Sequence, residues 1–223
     1  MFYRAPADPA RRLQTLLDLE IAKFAINSSP MRNDEFDPKG FLDGKLLIAM
    51  PGIGDSRFDR SVIFMCAHSH EGAMGLIVNK PSPDLQFADL LAQLEIPVGD
   101  ASQAIEVHIG GPVEHGRGFV LHSPDYQIED STLSVGPDFG MTATLDILKD
   151  LATGGGPSDC LLALGYSGWG PGQLEVELQN NGWLICDAKP DIVFGPQDDS
   201  KWAAALNSMG IDPRLLAAGG GQA

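Results

Sequence analysis

Three short apolar runs, cut by two polar, glycine-bearing loops, decide most of what this chain can fold into. Leu46 to Met50, Ser61 to Ala67 and Ala73 to Val78 are each too short for a helix and rich in Val, Ile, Leu or Phe. Such runs read as strands buried on both faces. The second and third are joined by His68-Ser69-His70-Glu71-Gly72, a loop of hairpin length, so 61–79 is predicted to be a β-hairpin. Gly75 inside the third run marks a point where another backbone or a ligand comes close. Strand alternation places Val62, Phe64, Cys66 and His68 on one face, with Cys66 and His68 as neighbours at the hairpin end.

The loop 52–60 combines Gly52 and Gly54 with Arg57 and Arg60, a pairing of backbone N–H groups and guanidinium that suits an anion. It lacks the Gly-Lys-Ser/Thr ending of a Walker A loop. Charge supports a small anion over a nucleic acid. The chain carries a net −15, and the six basic and six acidic residues of 1–40 cancel, so the remainder holds all of it. That surface repels a phosphate backbone and argues against direct DNA contact. Within it, 44–81 is locally non-acidic, with Lys45, Arg57, Arg60 and Lys80 against Asp55, Asp59 and Glu71.

Residues quoted so far resemble the opening block of the AlgH (YqgE) family, largely uncharacterised bacterial proteins. The matching pieces are Gly44 to Pro51, Asp55 to Val62, Cys66 to His68, Gly72 to Leu76 and Asn79 to Pro81. Later blocks agree: Gly110-Gly111-Pro112-Val113, Leu164 to Trp169 with Gly172 to Glu175, and Trp202 to Ala223. The resemblance covers 41–223. It implies an α+β fold in which short, mainly antiparallel strands form a barrel-like or strongly bent sheet flanked by three or four helices. It also implies a regulatory role in gene expression that, given the charge, is indirect.

The rest of the chain fits that outline. Residues 1–43 form an N-terminal extension with an amphipathic helix predicted over 9–26, and 44–223 a single domain. Ser82-Pro83 is expected to start a helix over 83–95. Further helices are predicted at 144–152, 173–180 and 198–209, and strands at 105–109, 118–122, 132–135, 160–165, 183–186 and 192–194. Residues 166–172 read as a glycine-rich loop before a helix, a second seat for an anion or small ligand built on Ser167 and Trp169.

No complete catalytic set emerges. Gly165-Tyr166-Ser167-Gly168-Trp169 lacks the glycine two places after a nucleophilic serine, and no histidine follows it. Cys66, His68 and His70 lack paired zinc spacing, so no metal is expected there, and nothing calls for a cofactor. His108, His115 and His122 read as hydrogen-bonded structural histidines, and Cys160 and Cys186 as core. Three cysteines, no apolar run of about 18 residues and no signal-peptide pattern place the chain in the cytoplasm, off the membrane.

Two functions remain. The preferred one is a cytosolic regulatory or small-anion-binding protein without turnover, using Arg57, Arg60, Asn79, Ser167 and Trp169. It requires the bends at 52–60, 68–72 and 166–172 to meet at one cleft. The alternative is a thiol-based sensor or enzyme with Cys66 as nucleophile and His68 as base, which would lower the thiol's pKa. A protein partner or self-association stays open.

Overall fold

The computed structural model describes residues 40–100 and 105–217; the helix predicted over 9–26 lies outside them. The strands are β1 (Lys45–Ala49), β2 (Val62–Ser69), β3 (Gly72–Ile77), β4 (Val107–Ile109), β5 (Val113–His122), β6 (Thr132–Val135), β7 (Phe139–Thr142), β8 (Cys160–Trp169) and β9 (Trp183–Asp187). They form one sheet in the order β6-β7-β5-β8-β3-β2-β1-β9, with β4 beside β8. The β4–β8 ladder is parallel and the others are antiparallel. The fold is α+β, as expected.

Strand β8 bends the sheet. Its first half pairs with β5 from Leu161 to Leu164, and its last three residues, Ser167 to Trp169, pair with β3. Between them Gly165 sits at φ +71°, and a Cβ there would stand 2.7 Å from the Val113 carbonyl oxygen. Only glycine makes that kink without strain. The residues expected to form a loop at 166–169 are thus the strand's second half, because a kinked strand reads as a glycine-rich loop.

Alternation around the bend sorts the apolar residues into layers. Leu46, Ile48, Val62, Phe64, Leu76, Phe119, Leu121, Leu161 and Ala163 face the concave side. There helix α5 (Asp198–Ser208) closes the core with Trp202, Ala205 and Leu206. The intervening residues of one half, Leu47, Ile63, Met65 and Trp183, lie under α3 (Gln173–Gln179) through Leu174 and Leu178. Those of the other half, Val107, Val120 and Leu162, lie under α1 (Phe87–Gln93) and α2 (Leu145–Thr153). Burial on both faces is why the strands read as unbroken apolar runs; each fully buried Leu, Ile or Phe contributes about 1.5–3 kcal/mol.

Several local expectations need correction. Helix α1 begins at Phe87, because Gln86 and Asp89 form a capping box and Ser82 instead donates its N–H to Val107. The strand expected at 192–194 is a helical turn, α4 (Pro190–Val193), started by Pro190. Strand β7 was not anticipated; Gly140 breaks its pattern, and that glycine is needed because the His122 ring packs against it. A sixth helix, α6 (Pro213–Ala217), follows α5. Cys160 and Cys186 are half-buried rather than core.

Candidate functional site

The segment Val78 to Ser82, leaving β3, gathers three parts of the molecule. Asn79 accepts the Val62 N–H through Oδ1 at 2.8 Å and donates Nδ2 to the Arg60 carbonyl at 2.9 Å. Lys80 donates Nζ to the Arg57 carbonyl at 2.8 Å. Both therefore hold the 55–60 loop from behind. On the other side, the Lys80 carbonyl accepts the Ile109 N–H and Pro81 bridges His108. From α5, Lys201 donates Nζ to the Val78 carbonyl at 2.8 Å.

Behind this segment lies a buried charged cluster. His108, Asp198 and Lys201 are 3, 8 and 4% exposed. His108 Nε2 stands 3.0 Å from Asp198 Oδ2, and Lys201 Nζ stands 2.8 Å from Asp198 Oδ1. Burial pushes the Asp198 carboxyl up, but the His108 hydrogen bond and Lys201 outweigh it and hold the group below the usual range. Glu106, exposed, stands over the same place. None of these four was singled out as a site residue from sequence. The legible signal was Asp198 and Lys201, three apart on the helix face that also carries Trp202 and Ala205, where a lone lysine would not be buried.

In front of the segment stand the residues from which an anion seat was expected. Arg57, Arg60 and Asn79 are brought together. The Arg57 side chain, however, is committed to Asp55, with Nη2 2.6 Å from Oδ2. Arg60 is exposed, has a left-handed φ of +51°, and carries its guanidinium 5.7 Å from the centre of the Trp202 ring. Among the described residues Arg60 has no carboxylate partner. Asn79 is structural, since both ends of its amide are used.

Ser167 and Trp169 belong elsewhere. Ser167 is 1% exposed and donates weakly to the Gly110 carbonyl at 3.4 Å. Trp169 is buried under α3, its Nε1 donating to Glu177. The 68–72 turn does meet the end of β8, since Ala73 pairs with Trp169. The 52–60 loop sits at the other end of β2, about 20 Å away along an eight-residue strand. The bends therefore do not share one cleft. The helix after the third bend offers no anion seat either, because Glu175 occupies its first turn and Gln173 already caps Gly170.

The expected Cys66–His68 pair is separated by a β-bulge. Met65 pairs with Gly75 but Ala67 with Met74, so Cys66 is the extra residue and alternation slips at it. Cys66 stays with Phe64 in the concave core, while His68 lies opposite Ala73 on the outer face. There the Leu42 N–H donates to His68 Nδ1 at 3.2 Å, leaving Nε2 to donate to Glu175 at 3.0 Å. Burial, with Asp43 adding to it, pushes the Cys66 thiol far above its ordinary value, the reverse of what a nucleophile needs. Alkylation of the native chain by iodoacetamide at pH 8, read by peptide mass spectrometry, is expected to label Cys66 at least about tenfold more slowly than a free thiol. Labelling as fast as a free thiol would contradict the burial.

His108 and His122 are buried and hydrogen-bonded, as expected for structural histidines; His115 is exposed. Among the described residues no helix is long and apolar enough to cross a membrane.

The bent, mainly antiparallel sheet closed by one C-terminal helix defines a recognisable fold. The solution structure of the AlgH protein from Pseudomonas aeruginosa matches it with a TM-score of 0.69 at 39% identity, over 86% of this chain and all of that one. A crystal structure of a protein from Corynebacterium diphtheriae matches with a TM-score of 0.63 at 22% identity, covering 87% of this chain and 94% of that one, a likeness of fold alone. The AlgH-like family profile matches residues 46–214. A UPF0301 protein from Ruegeria pomeroyi is 62% identical over 183 residues, 82% of this chain and 99% of the relative. One from Bradyrhizobium diazoefficiens is 52% identical over 191 residues, 82% of this chain and 89% of the relative. The chain belongs to the AlgH-like, UPF0301 family.

Proposed function

We propose that this chain is a cytosolic binding protein without turnover, that it takes a small anion at the exposed face carrying Arg60, and that any part it plays in gene expression is indirect. The observation that carries the reading is Arg60. A non-glycine residue in the left-handed region costs about 1–3 kcal/mol and persists only where its surroundings hold it. Here Asn79 grips its carbonyl and Trp202 lies beneath its guanidinium, so an exposed cation without an acidic partner among the described residues is set in place beforehand. Lys80, drawn partly out of water and so lowered in pKa despite nearby Asp59, steadies the same loop through the Arg57 carbonyl. A prearranged cation binds an anion at less entropic cost than a mobile one. The lack of turnover rests on the separation of Cys66 from His68 and on Ser167 having no basic partner among the described residues.

The test is a thermal-shift series at low salt with phosphate, pyrophosphate and citrate, on the full chain and on Arg60→Ala. At about a hundredfold over its Kd, a ligand of the folded state adds roughly 2.7 kcal/mol, a rise of about 5–10 °C for a chain of this size. The rise is expected to disappear in Arg60→Ala. If no anion raises the melting temperature, or Arg60→Ala keeps the rise, the seat is not there.

A further inference from the structure

We propose that Glu106, His108 and Asp198 form a binding site for a divalent transition-metal ion of the zinc class, separate from the anion face. One donor atom from each lies within 4.8 Å of the others. Glu106 immediately precedes β4 and His108 lies within it, two residues on, and Asp198 reaches them from the first turn of α5.

The histidine is oriented as a metal ligand is. Its Nδ1 stands 3.3 Å from the Glu106 main-chain carbonyl oxygen, and its Nε2 points at Asp198 Oδ2, 3.0 Å away. A ligating imidazole typically donates its other N–H to such a carbonyl, which fixes the tautomer and frees the far nitrogen for the metal. Two ligands sharing one tetrahedral ion with bonds of about 2.0–2.2 Å stand roughly 3.3–3.6 Å apart, so Nε2 and Oδ2, now at 3.0 Å, have to separate by only a few tenths of an ångström. Binding then puts the ion between Nε2 and Oδ2, and the single proton of a neutral ring sits on Nδ1, where the Glu106 carbonyl accepts it. The other carboxylate oxygen, Asp198 Oδ1, fixes the side chain. It belongs to a side chain more than nine-tenths buried and is held by Lys201 Nζ at 2.8 Å, which leaves Oδ2 as the oxygen facing His108.

Lys201 is the cluster's counter-charge. It lies against Oδ1 and the Val78 carbonyl and leaves Oδ2 and Nε2 to the ion. Two carboxylates and a neutral imidazole carry −2, and Lys201 reduces this to −1, which weakens a divalent cation without filling its place. One imidazole with two carboxylates suits zinc, manganese or cobalt better than calcium, and three protein donors leave a fourth position open.

The experiment uses the full chain, stripped with chelator, titrated with Co2+ while its visible d–d absorption is followed, and with Zn2+ by calorimetry. One equivalent is expected to bind. Glu106→Gln, at an exposed position, and His108→Ala should each weaken binding by at least about tenfold, and Lys201→Met should tighten it. Circular dichroism checks that each variant is folded; should His108→Ala fail to fold, Glu106→Gln decides. Absence of saturable binding, or Zn2+ affinity unchanged in Glu106→Gln, overturns the site. Affinity unchanged or weaker in Lys201→Met overturns the counter-charge role.

Discussion

Asp198→Ala is expected to lower stability by about 3–5 kcal/mol, the usual penalty for removing one partner of a buried ion pair. For a chain of this length that is a fall in Tm of roughly 6–20 °C. The loss comes less from the bonds removed than from what remains. Lys201, 4% exposed, would keep an ammonium facing only the Val78 carbonyl, and His108 would lose the acceptor for Nε2. The double variant Asp198→Ala/Lys201→Met should therefore regain much of the loss, because no uncompensated charge stays buried. Urea unfolding of the two single variants, the double variant and the parent gives the coupling directly. A single variant within about 1 kcal/mol of the parent would mean that water already reaches the cluster. The pH dependence has a definite sign. The folded Asp198 carboxyl is held below its unfolded value, so its contribution is complete above about pH 4 and lost as pH falls through the folded value. The Asp198→Ala curve should be the flatter of the two in that acid range.

The same cluster shows what a sequence can and cannot reveal here. The hairpin over 61–79 was legible because each strand is buried on both sides and broken by polar loops. The helices over 144–152 and 198–209 were legible from their apolar stripe, the first also from Gly154, which ends it at φ +83°. What was lost came from glycines whose task is contact rather than turning. Gly140 and Gly165 sit inside strands, where the first hid its strand and the second read as a strand's end. The bulge at Cys66 left no mark, because the residues before and after it are equally apolar, and one slip of alternation moved His68 to the opposite face.

That Arg57, Arg60 and Asn79 come together was legible because they belong to one polar loop and the end of the hairpin that follows it. His108 lies 90 residues from Asp198, and Lys201 lies 123 from Val78. Spacing along the chain carries no trace of such pairings; only the closure of the concave face by α5 creates them. Ser167 and Trp169 were misplaced for the opposite reason. Their glycine-rich surroundings are what a ligand loop would show, but here the glycines let strands β3, β4 and β8 lie close enough for backbone to meet backbone.

That close approach gives the second large effect. Gly111→Ala is expected to cost about 3 kcal/mol or more, enough to leave a marginally stable domain partly unfolded at 37 °C. A Cβ at Gly111 would overlap the backbone of Tyr166, and one at Gly110 the carbonyl of Gly165. Neither obstacle can rotate away, because both belong to β8. The turn cannot move out either. Gly110 donates its N–H to the Leu164 carbonyl at 2.8 Å, and its own carbonyl accepts the Ile77 N–H at 2.9 Å. Moving the turn would break the link between β4 and the Val78–Ser82 segment on which both the 55–60 loop and the buried cluster depend. Gly116→Ala is the control, since a Cβ there meets nothing within 4 Å and its φ is not left-handed. It should fall within about 0.5 kcal/mol of the parent. Urea midpoints of the two variants, measured side by side, decide the matter. Equal midpoints would mean that β4 and β8 stand further apart than the glycine pair requires, and the motif would then need a reason other than packing.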